Sequence, residues 1–294
     1  MTNPPHEQVT AGSDVIYREH VLATDDGLDL FAQAWFAAQP KAAIALVHGI
    51  AEHSSRYRYA AEFLARRGYT VYTFDLRGHG RSPGKRILFQ HMDEHSADVA
   101  IFLAWAHQEA MGLPLFLFGH SMGGLLVTYY VLTQQPALAG VILSAPAIKL
   151  DDVSPLLLTV ARLLAKVTPT LPMRQLEFAA ISRDPVVLEE NKNDALVHHG
   201  GIPVSTGLAM ARAVDYVQQH MGEFSLPLLL LHGTADRMVT PEGSKQLYAQ
   251  AATTDKQLKL YEGLYHELLN EPEKAEILED IIAWLDARVR KFEA

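Results

Sequence analysis

Ser121, Asp236 and His266 are the residues whose types and setting could do covalent chemistry. A serine hydroxyl is a weak nucleophile until an imidazole takes its proton, and that imidazole needs a carboxylate to hold its tautomer and stabilise its cation. Ser121 lies in Phe116-Leu117-Phe118-Gly119-His120-Ser121-Met122-Gly123-Gly124, where an apolar run meets a glycine-flanked serine and an apolar helical stretch. A strand that reverses into a helix within one residue strains that residue's backbone, and small neighbours keep Cβ atoms clear of it. Such an elbow lifts the hydroxyl above the sheet edge, as acyl transfer requires. The plainer alternative, a tight turn with a structural serine, has no use for partners further along the chain.

Those partners are present. Beyond Leu231-His232-Gly233-Thr234-Ala235-Asp236 the chain holds a single histidine, His266. Asp236 follows an apolar strand and a glycine turn, with Pro241 opening the next helix, so it belongs at a strand's carboxyl end. His266 occupies the same kind of position after the last strand. Glu262 is a rival acid, but it shares its strand exit with His266 and is the poorer partner. His232, placed before the turn, reads as structural.

A tetrahedral intermediate also needs amide donors for its oxyanion. The strand Ala42 to Val47 ends in His48-Gly49-Ile50-Ala51-Glu52-His53-Ser54-Ser55-Arg56-Tyr57. The glycine lets the backbone turn its amides toward a ligand, and the Ile50 and Met122 N–H groups are the expected donors. Glu52 and Arg56 either hold a polar head group or form a salt-bridged helix start. His48 and His53 read as loop-stabilising hydrogen-bond partners. The glycine-rich loop Asp75 to Ser82 lacks the Lys-Ser or Lys-Thr of a phosphate cradle and reads as a structural rim, its turns tied by Asp75 and Arg77.

The elements that must position these groups alternate steadily. A hairpin over Val15 to Thr24 and Leu28 to Phe36 leads into strands at Ala42–Val47, Tyr69–Phe74, Leu113–Phe118 and Gly140–Ser144. Helices fall between them at 57–67, 95–111 and 121–134. Between Ile148 and about Ser225 the strand pattern gives way to helical stretches. Leu156, Val160, Leu163, Leu164 and Val167 share one helical face, which Leu157 and Leu158 widen, and Ser205 to His220 is helical again. The sheet resumes at 227–231 and 257–261, and an amphipathic helix carrying Leu278, Ile281 and Leu285 closes the chain. The expectation is an α/β fold with a mostly parallel, eight-stranded sheet, helices on both faces and an inserted helical cap. The core takes 1–146 and 226–294, the cap 147–225.

Composition removes several function classes. The chain has 294 residues, 49% hydrophobic and 20% charged, which suits a globular domain with a sizeable core. Its net charge of −9, with no basic run, argues against nucleic acid. There are no cysteines, so disulfides and thiolate chemistry are excluded by counting. No run has the length of a membrane span or a signal peptide, so a cytoplasmic protein is the default expectation. His198-His199 has no third ligand at suitable spacing, and the expected chemistry needs no metal or organic cofactor.

His48-Gly49-Ile50-Ala51-Glu52-His53, Gly119-His120-Ser121-Met122-Gly123-Gly124, His232-Gly233-Thr234-Ala235-Asp236 and Tyr265-His266-Glu267 resemble the monoacylglycerol lipase and lysophospholipase group of the α/β-hydrolases, also labelled serine aminopeptidases. The resemblance covers nearly the whole chain and includes the order Ser, Asp, His. It implies Ser121 as nucleophile, Asp236 as acid, His266 as base, oxyanion amides from Ile50 and Met122, and Glu52 and Arg56 at a polar end where glycerol binds. One departure stands out: the mammalian enzyme has a second histidine three residues after the catalytic one, where this chain has Leu269. The expected substrate is a lipid ester with one acyl chain, most naturally a monoacylglycerol. Lysophospholipase or general carboxylesterase activity is the near alternative. An aminopeptidase would need acids gripping a substrate amine, for which Asp184, Glu189, Glu190 and Asp194 are candidates. A silent ligand-binding homologue would bind without turnover. The cap's leucines could line an acyl tunnel or touch a membrane surface.

Overall fold

In a computed structural model describing residues 7–9, 15–149 and 155–292, the continuous apolar runs of the sequence are strands covered on both faces. β1 (Glu7–Val9), β2 (Ile16–Ala23), β3 (Asp29–Phe36), β4 (Ala42–Val47), β5 (Tyr69–Phe74), β6 (Leu115–His120), β7 (Gly140–Ser144), β10 (Leu228–Gly233) and β11 (Lys256–Tyr261) form one sheet. Their order is β1-β2-β3-β5-β4-β6-β7-β10-β11. The strands from β5 to β11 run parallel, while β3 pairs antiparallel with β5 and with β2. The eight expected strands are all present, and the three-residue β1 adds a short antiparallel edge.

The pleat sends alternate side chains to opposite faces. Ala43, Ala45 and Val47 of β4 and Leu228 and Leu230 of β10 face one core, shared with α2 (Met92–Ala110) and α3 (Met122–Gln134). Ala42, Ile44 and Leu46, with Leu229 and Leu231, face the other, closed by α1 (Arg58–Arg66) and α8 (Lys274–Phe292). A strand with two apolar faces has no polar alternation to show, which is why these runs read as unbroken. α7 (Glu242–Gln250) joins β10 to β11 and buries Leu247 in the first core.

Between β7 and β10 the chain forms α4 (Pro155–Val167), α5 (Pro185–Asn193) and α6 (Val204–His220). This segment also contains a short antiparallel pair, β8 (Pro172–Arg174) with β9 (Ile202–Pro203), which the sequence pattern did not signal. α6 is fixed to the body: Ala209, Met210, Ala213, Val214 and Val217 share the first core, and Thr206 Oγ1 donates to Ile87 O at 2.7 Å. α4 instead rests on α6 through Ala161, Leu164 and Ala165 against Val204 and Leu208. Leu163 and Val167 point outward, 60% and 81% exposed, so the expected apolar stripe is split between two sides of the helix. The side chains of Leu156, Leu157, Leu158 and Val160 lie outside the described residues, as does most of the stretch 1–14. Among the described residues no helix is long and apolar enough to cross a membrane.

Candidate active site

Ser121 sits between β6 and α3 with φ 52° and ψ −118°, a left-handed φ that a residue with a Cβ adopts only under constraint. Three backbone bonds supply it: Ser121 N–H donates to Ser144 O, while Leu125 N–H and Ala147 N–H both donate to Ser121 O, each at 3.0 Å. The flanking glycines are required by contact. A Cβ on Gly123 would lie 2.3 Å from His48 O, and one on Gly119 would lie 2.6 Å from Gly123 O. Larger residues would push α3 off the sheet edge.

His266 and Asp236, 30 residues apart in sequence, converge on this elbow from the exits of β11 and β10. His266 Nε2 lies 2.8 Å from Ser121 Oγ, and His266 Nδ1 lies 2.7 Å from Asp236 Oδ2. An ionised carboxylate only accepts, so Nδ1 carries the proton and Nε2 is left to accept from the serine. Asp236 is fully enclosed but well supplied. Its Oδ1 accepts from Met238 N–H at 2.8 Å and Val239 N–H at 3.0 Å, and His232 Nε2 stands 3.2 Å from Oδ2. Burial alone would raise its pKa, yet the His266 charge and these donors outweigh burial and hold it well below the usual carboxylate range. For His266 burial disfavours the cation, and Asp236, with help from Glu267 and Glu52, reverses that and raises its pKa above 6.5. Glu262 is exposed, whereas Asp236 is the carboxylate that meets His266.

His232 does more than fill the sheet layer. Its Nδ1 accepts from Ser244 Oγ at 2.8 Å, which leaves Nε2–H to face Asp236 and Val239 O. That link had no signal in the sequence beyond the position of His232 before the turn.

The loop after β4 packs directly on the elbow: a Cβ on Gly49 would come within 3.2 Å of Ser121 Cβ and 2.8 Å of Glu52 Oε1. Ile50 follows and lines the same cavity as Ser121. Met122 opens α3, where an amide has no partner one turn back. His48 sets this loop, since Leu76 N–H donates to its Nε2 at 3.0 Å and its Nδ1–H reaches Gly49 O at 2.7 Å. Burial lowers the His48 pKa to about 3, so the ring is neutral. His53 reaches across to Asp194 at 2.7 Å, and His198 N–H donates to Ala51 O at 2.9 Å, so the loop after β4 is tied to the segment after α5. At the rim, Asp75 accepts from Ser54 N–H and Arg81 N–H, while Arg77 bridges the buried Asp98 and the exposed Asp26.

Glu52 and Arg56 form a buried cluster with Glu267, a residue that the sequence offered only as the neighbour of His266. Arg56 Nη1 and Nη2 bind the two Glu267 oxygens at 2.6 and 2.7 Å, and Nη1 also lies 3.0 Å from Glu52 Oε2. Burial raises the Glu52 pKa, whereas the Arg56 charge overcomes burial at Glu267 and lowers it. All three residues, with Ser121, His266, Ile50, His120, Leu176, Phe178, Ile181, Asn191 and Met238, line a cavity of about 340 Å³. Asp184, Glu189, Glu190 and Asp194 are absent from that lining: Asp184 caps α5 and Glu189 meets Asn193. An acid cluster gripping an amine beside Ser121 does not form from them.

A family model described as serine aminopeptidase, S33, matches residues 38–273. A monoacylglycerol lipase of Mycolicibacterium smegmatis is 37% identical over 269 residues, covering 91% of this chain and 96% of that protein. The human monoglyceride lipase is 32% identical over 272 residues, 91% of this chain and 90% of that one. Among solved structures, the monoacylglycerol lipase of Paleococcus ferrophilus superposes with a TM-score of 0.78 at 32% identity, covering 88% of this chain and 99% of that one.

Proposed function

The chain belongs to the serine aminopeptidase S33 family and is an ester hydrolase of the α/β-hydrolase fold, and from that premise we propose that it cleaves esters of single fatty-acyl chains, with monoacylglycerol as substrate. The observation that carries this reading is the Ser121–His266–Asp236 relay, at 2.8 and 2.7 Å, with Ser121 and His266 lining one cavity. Ser121 Oγ attacks the acyl carbonyl as His266 Nε2 takes its proton. The Ile50 and Met122 amides hold the oxyanion, each donor being worth about 3 kcal/mol in the transition state. The tetrahedral intermediate collapses with loss of the alcohol, protonated by His266, and the same imidazole then activates water to release the acid.

In this reading residues 147–225 act as the cap, supported by Leu176, Phe178, Ile181 and Asn191, which come from this segment and line the cavity. The first three, with Ile50 and Met238, offer an apolar path for the acyl chain, and Glu52 and Arg56 mark the polar end for the alcohol. Each methylene buried on that path is worth up to ~0.8 kcal/mol, roughly a fourfold preference per carbon. The outward Leu163 and Val167 support brief contact of the cap with a lipid surface.

The test is hydrolysis of monoacylglycerols and simple esters from acetyl to stearoyl, with Ser121→Ala as control. The expected result is a rise in kcat/KM with acyl length, preference for glycerol esters and loss in the variant. Turnover confined to short simple esters would reduce the enzyme to a general carboxylesterase, and turnover that survives Ser121→Ala would refute the mechanism.

A further inference from the structure

One wall of the cavity carries charge that the hydrolytic steps do not use. Arg56 is the one lysine or arginine among the described lining residues, and both its outer nitrogens already face carboxylates. Burial raises the Glu52 pKa, but both its oxygens face donors, Gly49 N–H at 2.6 Å and Tyr57 O–H at 2.8 Å on Oε1 and Arg56 on Oε2. This arrangement suits the carboxylate and leaves a carboxyl proton no acceptor among these partners. Glu267 accepts twice from Arg56 and once from Asn270 Nδ2, at 2.9 Å. Two carboxylates and one guanidinium leave a single negative charge.

Asn191, on another part of the same lining, is 4% exposed, and its Oδ1 has no hydrogen-bond partner. A buried acceptor without a donor is costly, and a ligand hydroxyl or ammonium hydrogen would satisfy it. The lining therefore offers acceptors and, on the Arg56 wall, net negative charge. Glu267 sets the charge of this wall: without it, Arg56 and Glu52 would balance, leaving only Asp236, behind His266 and outside the lining. It follows His266 directly in the chain, so the turn that delivers the imidazole also delivers the countercharge.

We infer that the alcohol half of the substrate must carry no negative charge, and that Glu267 imposes this rule by cancelling Arg56. Neutral polyol esters and cationic amino-alcohol esters enter; esters whose alcohol bears phosphate are turned away. This rests on the ester-hydrolase reading above and sharpens it, setting glycerol esters apart from phosphate-bearing lysolipids.

The experiment compares three decanoate esters on the full chain, monodecanoylglycerol, decanoylcholine and decanoyl glycerophosphate, below their aggregation thresholds and near pH 8.5. The expected kcat/KM for the choline ester at least equals that for the glycerol ester. The phosphate ester falls on the order of 50-fold below it, the effect of one unbalanced charge across a partly screened cavity. Glu267→Gln should shrink that deficit about tenfold, and Asn191→Asp, which adds charge to the same cavity lining, should widen it. A phosphate ester cleaved within threefold of the glycerol ester by the unmodified enzyme overturns the rule, whatever either variant does to folding. So does a folded Glu267→Gln enzyme with the deficit unchanged. Absence of turnover on all three esters overturns the ester reading itself, and this rule with it.

Discussion

Replacing Asp236 by Asn tests whether the carboxylate sets the imidazole's tautomer. Asp236 Oδ1 accepts two backbone amides, from Met238 and Val239, while Oδ2 faces His266 Nδ1 and His232 Nε2. An asparagine has one oxygen for these two sets of donors. Keeping it on the backbone amides aims its NH₂ at His266 Nδ1, which must then give up its proton and accept. The proton moves to Nε2, where it faces Ser121 Oγ and removes the acceptor that the serine needs. Placing the oxygen on the imidazole instead leaves two buried amides facing an NH₂ group, at roughly 1–3 kcal/mol each. The first arrangement is favoured, and a wrong tautomer of this kind costs about 10⁴-fold in kcat, or roughly 5.5 kcal/mol. The assay is kcat on monodecanoylglycerol from about pH 6 to 10, with thermal melts of both proteins. In the parent enzyme the rate should rise as His266 loses its proton, with an apparent pKa above 6.5 because Asp236 stabilises the cation. In the variant the plateau should fall about 10⁴-fold and the residual profile should shift to lower pH. A folded variant within tenfold of the parent at all pH values would refute the tautomer argument.

Two further outcomes follow from packing and charge. Gly123→Ala places a methyl 2.3 Å from His48 O and 2.4 Å from Val47 O, backbone atoms that cannot rotate away. A loss of about 1–3 kcal/mol in denaturant unfolding is expected, with a larger fall in kcat as the elbow moves from the Ile50 loop; an unchanged melt and rate would contradict the contact. Acid should also destabilise the fold early. Burial holds His48, His79 and His120 down to about 3, whereas in the unfolded chain each binds a proton below about 6.5. Their stabilisation is therefore full above that pH and is lost as pH falls toward 3, at up to about 1.4 kcal/mol per pH unit for each histidine. Urea midpoints between about pH 7 and 4 check this, and a flat profile would mean that these rings bind protons in the folded state.

The order of strands and helices was legible because it rests on local rules. A strand buried on both faces must be apolar throughout, as β4, β6 and β10 are, and the reversal at Ser121 needs glycines that no side chain could replace. A lone downstream histidine and an aspartate after a strand narrowed the proposed relay to His266 and Asp236 before any distance was known. Charge neutralisation was not legible. Glu267 meets Arg56 across 211 residues, and nothing in its type marks it off from a surface glutamate. The link from His232 to Asp236 and the unpartnered Asn191 Oδ1 are hidden for the same reason. The outward turn of Leu163 and Val167 depends on where α4 meets α6, which helical spacing alone does not specify. Sequence by itself determined what each element is and which residue types stand at its ends, because backbone sterics and burial act over a few residues. Tertiary structure alone decided which ends meet and what charge they sum to, because electrostatics depends on distances that the chain sets only after it has folded.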